Sequence, residues 1–188
     1  MIKFYYNTAP NPMKVALALE EMELKYETVP IDSRKGDQHT DAFKKVNPNG
    51  KVPVIDDDGT IIFDSNAILL WLGDKTGKFV PTDLSSPERG QMLSWLMFVA
   101  SGIGPFSGQA VHFRAFAPEP KEYALNRYDF EANRHWQIIE DRLAANKYML
   151  GDQYSIVDMD VWGWARMAPF VLGDDALWER MPNLKRLL

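Results

Sequence analysis

The chain has no cysteine. That excludes a disulfide framework, cysteine-ligated zinc and a catalytic protein thiol. Any thiol chemistry would have to borrow its sulfur from a ligand. Histidine is scarce as well: His39, His112 and His135 are scattered, without metal-ligand spacing, so no metal site is expected. Basic runs are missing. Lys plus Arg number 21 against 26 Asp plus Glu, a net charge of −5, which excludes a phosphate-driven nucleic-acid binder. Long apolar runs are missing too. The most apolar stretch, Trp95 to Phe106, is too short to span a bilayer and contains Gly102, Gly104 and Pro105. The N-terminal Met-Ile-Lys-Phe-Tyr-Tyr-Asn has no apolar h-region and no small-residue cleavage site, so it does not read as a signal peptide. A soluble, cytoplasmic protein without membrane or nucleic-acid partners is expected.

What is present divides into two halves. The 188 residues carry 46% hydrophobic and 25% charged side chains, enough to bury a core. Ile2–Tyr6 and Tyr26–Ile31 are rich in β-branched and aromatic residues and read as strands. Between them Val15, Ala16, Leu19 and Met22 fall at helical spacing and predict a helix from Met13 to Glu23, after a turn at Thr8–Pro12. Asp41–Val46 reads as a short helix. Pro48-Asn49-Gly50 is a turn, Val52–Ile55 a strand, and Asp57-Asp58-Gly59 a hairpin turn into Ile61–Phe63. Asn66–Lys75 reads as an apolar helix. The order βαβαββα makes the first strand pair parallel and the last antiparallel.

The Pro/Ser-rich stretch running to Pro87 reads as a linker. It places an α/β domain at residues 1–80, a connection at 81–87 and an all-α domain at 88–188. The second half contains no strand pattern. Its expected helices are Glu88–Ala117, bent around Gly102–Gly108, then Lys121–Ala145, Ser155–Val171 and Asp175–Leu188. Five of the six tryptophans lie here, at positions suited to a helical core.

Three segments could carry chemistry, and each has a plain structural reading beside the functional one. Val52-Pro53 opens a strand. Pro53 is either an ordinary edge proline or follows a cis bond that turns the Val52 backbone outward to pair with an extended peptide. Asp64-Ser65 precedes a helix. Ser65 either merely caps it, or the helix N-terminus holds a carboxylate while Asp64 holds an ammonium, gripping an α-amino acid end at both charges. Tyr6, Asn7, Thr8 and Asn11 lie where the first strand gives way to a helix. They are turn formers or donors at the carboxyl end of a strand, where open α/β sheets bind ligands. Ser155-Ile-Val-Asp158 has the form of a capping box and reads as structural.

Together these features resemble the glutathione transferase family over essentially the whole chain. Val52-Pro53, Asp64-Ser65 followed by Asn66-Ala67-Ile68-Leu69, and Ser155-Ile-Val-Asp158 followed by Asp160 stand in the family's order and spacing. Within it the chain is most similar to the bacterial nu-class and yeast prion-regulator-like branch. This rests on Pro10-Asn11 with Lys14, Lys35-Gly36-Asp37-Gln38, Asn47-Pro48-Asn49-Gly50-Lys51, Gly104-Pro105 with Gly108-Gln109, and His112-Phe113.

The resemblance implies a thioredoxin-like first domain and glutathione as co-substrate, with no metal. It implies that Val52, before a cis Pro53, pairs with the cysteinyl part of glutathione. Asp64 and Ser65 would hold the γ-glutamyl end, and Gln38 and Lys51 the region of the glycine carboxylate. Arg127 would help hold glutathione or the far half of glutathione disulfide. Asn11 would donate to the sulfur. Ala9 stands where that branch commonly has Thr, which leaves Asn11, Thr8 and Tyr6 as alternative sulfur donors.

The implied activity is disulfide reduction or conjugation of small electrophiles, as in detoxification, by a homodimer. The alternative is a non-catalytic glutathione-binding or protein-interaction module of the same fold. The sequence ends at Leu188, where the family usually continues into a tail over the acceptor site, which implies either a more open acceptor pocket or a tail that lies beyond this sequence.

Overall fold

The computed structural model describes residues 1–188. The first half is a four-stranded mixed sheet carrying three helices. β1 (Ile2–Tyr6) leads through α1 (Pro10–Glu21) to β2 (Tyr26–Pro30). A short 3-10 turn at Asp37–His39 and α2 (Asp41–Val46) follow. Then come β3 (Val54–Asp57), β4 (Thr60–Phe63) and α3 (Ser65–Thr76). The strand order is β2-β1-β3-β4. β1 pairs parallel with β2, Ile2 beside Tyr26, and antiparallel with β3, Phe4 beside Ile55. The β3–β4 hairpin is antiparallel. The element order and the parallel first and antiparallel last pairs are those the sequence pattern predicts, and the sheet is thioredoxin-like, as the family resemblance implies. Alternation sets the faces: Ile2 and Phe4 are buried while Lys3 is exposed.

Two elements of this half, α1 and β3, are displaced from expectation by two residues or more at an end. α1 starts at Pro10 rather than Met13, since proline is tolerated in a first helical turn, and it ends before Glu23, whose φ is +58°. β3 starts at Val54 rather than Val52, because Pro53 has no N–H to give to a ladder.

From Pro87 onward the chain is helical. α4 (Pro87–Phe98) runs through a π-helical segment, Val99–Ile103, into α5 (Gly104–Val111) and a second π-helical segment, His112–Phe116. The single long helical pattern is therefore widened twice. At the first widening Gly102 faces α6 (Glu122–Ala145), and a Cβ there would lie 2.4 Å from His135 Cδ2. The missing side chain lets the two helices meet.

The pattern from Ser155 to Val171 is split into α7 (Ile156–Ala165) and α8 (Ala168–Leu172). Pro169 cannot donate to the turn before it, so the helix breaks at Arg166–Met167. Pro182 likewise divides the last stretch into α9 (Leu177–Arg180) and α10 (Pro182–Arg186). The capping box at the start of α7 is present: Val157 N donates to Ser155 Oγ and Ser155 N to Asp158 Oδ2, at 3.3 and 2.9 Å. No helix is long and apolar enough to cross a membrane.

One hydrophobic core runs through both halves, from Phe4, Leu19 and Leu72 to Leu96, Trp136 and Ile156. Trp136 is fully buried, and the other four tryptophans of the helical half are partly covered. The tightest seam lies between α1 and α7. A Cβ on Gly163 would lie 2.3 Å from Lys14 Cγ and 2.8 Å from the Pro10 carbonyl oxygen. Gly163→Ala should therefore destabilise the chain by about 1–3 kcal/mol through overpacking. Urea unfolding measures this. An unchanged midpoint would mean that the seam opens freely.

Candidate functional site

The seam joins α1 to α7 through charge. Lys14 and Asp160 are 1% and 0% exposed, with Nζ and Oδ1 2.7 Å apart. The other Asp160 oxygen accepts from Asn66 Nδ2, which also donates to the Leu96 carbonyl at 2.8 Å. Ser65 Oγ donates to Asn66 Oδ1 at 3.2 Å and lies 3.5 Å from Lys14 Nζ. One buried network thus ties α1, the start of α3, α4 and α7 together. Burial pushes the Asp160 carboxyl up to about 6, against the pull of Lys14.

Beside this network opens a cavity of about 480 Å³ between the two halves. Asn11, Lys51, Asp64 and Ser65 line it, facing Gly104 and Gln109 of α5. Asn11 sits in the first turn of α1, where its neighbours Pro10 and Pro12 have no N–H. Met13 N bonds the Ala9 carbonyl, so Asn11 holds the free amide of that turn. Ala9, the residue before the helix, gives it no side-chain cap. The Asn11 side chain accepts through Oδ1 from Trp164 Nε1 of α7 at 2.9 Å.

Asp64 sits at φ +73°, a conformation that side-chain-bearing residues rarely adopt and that concentrates at ligand sites. Its Oδ1 accepts from the amides of Asn66 and Ala67, at 2.9 and 3.3 Å. Its Oδ2 makes no bond within the protein. Asp64, not Ser65, is therefore the N-cap of α3. Ser65 is the first helical residue and turns its hydroxyl inward to the buried network.

Val52 and Pro53 are joined by a cis peptide bond beside the cavity loop. Neither the N–H nor the C=O of Val52 enters a turn, cap or side-chain bond. The loop before them is held by buried Asn47, which donates to the Lys51 carbonyl at 2.7 Å and accepts from Asn49 N at 3.0 Å.

The other anticipated residues lie elsewhere. Tyr6 and Thr8 line a second cavity of about 880 Å³ with Arg34, Phe116 and Met167. The Thr8 carbonyl accepts from Arg166 at 2.7 Å. Gln38 turns its amide to the Ser33 carbonyl at 3.2 Å, and its own carbonyl oxygen Oε1 is buried without a partner. Arg127 stands exposed on α6, paired with Glu131 at 2.7 Å. The structure thus gathers Asn11, Lys51, Asp64 and Ser65 with Val52 and Pro53 close by, and sets Tyr6, Thr8 and Arg127 apart. Trp164 went unnoticed in the sequence, because its partner stands far off along the chain.

Residues 8–75 match the model of the glutathione S-transferase N-terminal domain. A glutathione S-transferase domain-containing protein of Dictyostelium discoideum is 37% identical over 98% of this chain and 75% of its own. The chain belongs to the glutathione transferase family. Within that family, the disulfide-bond oxidoreductase YfcG of Escherichia coli is 39% identical over 87% of this chain and 79% of its own. Among solved transferases, URE2P6 of Phanerochaete chrysosporium, in complex with oxidized glutathione, superposes with a TM-score of 0.92. It is 32% identical, and the match covers 99% of this chain and 88% of that one.

For this family member the buried network predicts a specific stability pattern. Lys14→Met leaves Asp160 buried and unpaired, so it should destabilise by about 3–5 kcal/mol at neutral pH. Lys14→Met with Asp160→Leu should recover much of that loss. The folded Asp160 carboxyl titrates above its free value. Its contribution to stability is therefore full at low pH and lost as pH rises through about 6. Without Lys14 the carboxyl is pushed higher still, so the Lys14→Met penalty should shrink as pH falls toward about 6 and level off below it, read by urea unfolding across pH. A pH-independent penalty, or a double variant no better than the single, would contradict the pairing.

Proposed function

We propose that this chain is a glutathione-dependent enzyme that binds the tripeptide in the cavity between α1, α3 and α5. There it ionises the thiol and uses the thiolate on a disulfide or a small electrophile. The observation that carries this reading is the composition of one cavity wall. A side-chain amide at a helix start (Asn11), a cation (Lys51) and a half-free carboxylate at a second helix start (Asp64) line the same space. Glutathione presents a thiol, a glycine carboxylate and an α-amino acid end, which are their chemical complements.

In this reading Asp64 Oδ2 takes the γ-glutamyl ammonium, and the α3 N-terminus at Ser65 attracts its carboxylate. Val52 offers an unpaired backbone N–H and C=O to the cysteinyl residue. Lys51 faces the glycine carboxylate. Gln38 supports the loop next to it, its backbone carbonyl lying against Gly50. Arg127, exposed on α6 and paired with Glu131, is assigned to the far half of glutathione disulfide.

Asn11 is the proposed sulfur donor. Thr8 and Tyr6 border the larger neighbouring cavity, which suits the acceptor. A free thiol titrates near 8.5, and lowering it by about 2 units takes about 2.7 kcal/mol of preference for the thiolate. A hydrogen bond to a charged group contributes about 1.5–3 kcal/mol. The positive end of α1 adds a fraction of that, so one donor suffices without a hydroxyl at Ala9.

The thiol proton leaves to solvent. The thiolate then attacks the glutathionyl sulfur of a mixed disulfide. A new S–S bond forms glutathione disulfide, the old one breaks, and the electron pair departs on the second thiolate, which takes a proton. Glutathione is oxidised and the mixed disulfide reduced, with no protein cysteine needed. With an electrophile, a C–S bond forms instead, and either a leaving group such as chloride departs with its electron pair or, at an activated double bond, the displaced π pair takes up a proton. Dimerisation and cytoplasmic action belong to this same reading.

Two variants test it. Asn11→Ala should lower turnover of hydroxyethyl disulfide with glutathione by about 10- to 100-fold. Asp64→Ala should weaken glutathione binding by a similar factor. Full activity in Asn11→Ala would remove Asn11 from the mechanism. Wild-type protein that binds glutathione yet turns over neither the disulfide nor a chlorodinitrobenzene-type acceptor would favour the non-catalytic module.

A further inference from the structure

We infer that Trp164 is a positioning residue that fixes which end of the Asn11 amide faces the sulfur. The inference rests on the assignment of Asn11 as sulfur donor. An asparagine amide has two faces of opposite character: its NH₂ donates and its carbonyl accepts. Left free to turn, it would present its carbonyl to a neutral thiol, accept from S–H and favour the protonated form. Turned the other way it donates, which favours the thiolate.

The indole N–H is a donor only. By donating to Asn11 Oδ1 at 2.9 Å, Trp164 holds the carbonyl toward α7, so the NH₂ points away from the ring. No acceptor in the protein takes that NH₂, and Asn11 lines the cavity while Trp164 does not. The ring is itself held. A Cβ on Gly104 would lie 3.5 Å from Trp164 Nε1, and one on Gly108 3.6 Å from its Cη2, so the indole lies against the glycine face of α5. α7 is pinned to α1 one turn earlier by Asp160 on Lys14, and just beyond Trp164 the chain is held to the segment before α1 by Arg166 on the Thr8 carbonyl. The indole therefore cannot swing away without disturbing contacts on both sides. Trp164 acts on the sulfur only through the orientation of Asn11.

The test is the pH titration of glutathione bound to the full chain, followed by ultraviolet thiolate absorbance, in wild type, Asn11→Ala, Trp164→Phe and the double variant. S-methylglutathione affinity serves as a control that the cavity is intact. The charged groups on the cavity wall are Lys14, Lys51 and Asp64, and Trp164→Phe leaves all three in place. Asn11→Ala should reduce the thiolate fraction on the acid limb by about tenfold or more. Trp164→Phe should reduce it by about fivefold, the bias that one neutral hydrogen bond sets between the two amide orientations. It should leave S-methylglutathione affinity unchanged. In the Asn11→Ala background, Trp164→Phe should add nothing.

A thiol shifted by Asn11→Ala but not by Trp164→Phe overturns the positioning role and leaves Asn11 as donor. A thiol shifted by neither overturns the donor assignment and the inference with it. A Trp164→Phe effect that persists without Asn11 means that the indole acts by another route, which also overturns the inference. Should Trp164→Phe fail to fold, the benzothiophene analogue of tryptophan at position 164 removes only the N–H and carries the same expectations.

Discussion

The Lys14–Asp160 ion pair is the constraint on which the arrangement of the site depends. Two charges buried together are tolerable only when held close and surrounded by further hydrogen bonds. That demand draws Asn66 and Ser65 inward and leaves Asp64 as the residue that caps α3. It requires α1 and α7 to approach so closely that position 163 has no room for a side chain. The same approach brings Trp164 to Asn11 and Arg166 to Thr8. The ion pair adds little net stability over an apolar pair of the same shape. It fixes the register of a helical half against a sheet half, and the cavity lies along that joint.

The chemistry proposed for the joint follows from what the chain does not possess. Without cysteine, the reactive sulfur has to arrive with the ligand. The protein's part is then electrostatic: to complement a zwitterionic tripeptide and to make one sulfur prefer its anion. Helix starts suit both tasks. α3 contributes the free Ser65 amide and the Asp64 carboxylate beside it, and α1 contributes a free amide and a side-chain donor. The larger cavity beside Tyr6 and Thr8, with Phe116 and Met167 on its wall, has the mixed character expected where varied acceptors meet a fixed nucleophile.

Much of this was legible in the sequence because it is local. β1 alternates, Pro-Asn-Gly and Asp-Gly make turns, Ser155 and Asp158 stand at capping-box spacing, and Val52-Pro53 and Asp64-Ser65 mark the candidate site by their order. What escaped was non-local. Trp164 and Asn11 stand 153 positions apart, and nothing near either tryptophan or asparagine announces the other. The choice between Asp64 and Ser65 as helix cap was decided by the buried network pulling on Ser65, a tertiary force absent from local capping preference. The helical half was recognised as helical, but its internal breaks follow from Pro169, Pro182 and a π-helical widening at Gly102. The prolines and the Gly102–Gly108 cluster leave a readable sign, but the π-helical form of the widening does not.

The most direct measurement is a crystal structure of the chain with glutathione bound. The expected density places the sulfur within hydrogen-bond distance of Asn11 Nδ2, with the γ-glutamyl ammonium on Asp64 and the cysteinyl backbone paired with Val52. A tripeptide lying in the neighbouring cavity, with its sulfur on Tyr6 or Thr8 and Asp64 untouched, would contradict the assignment.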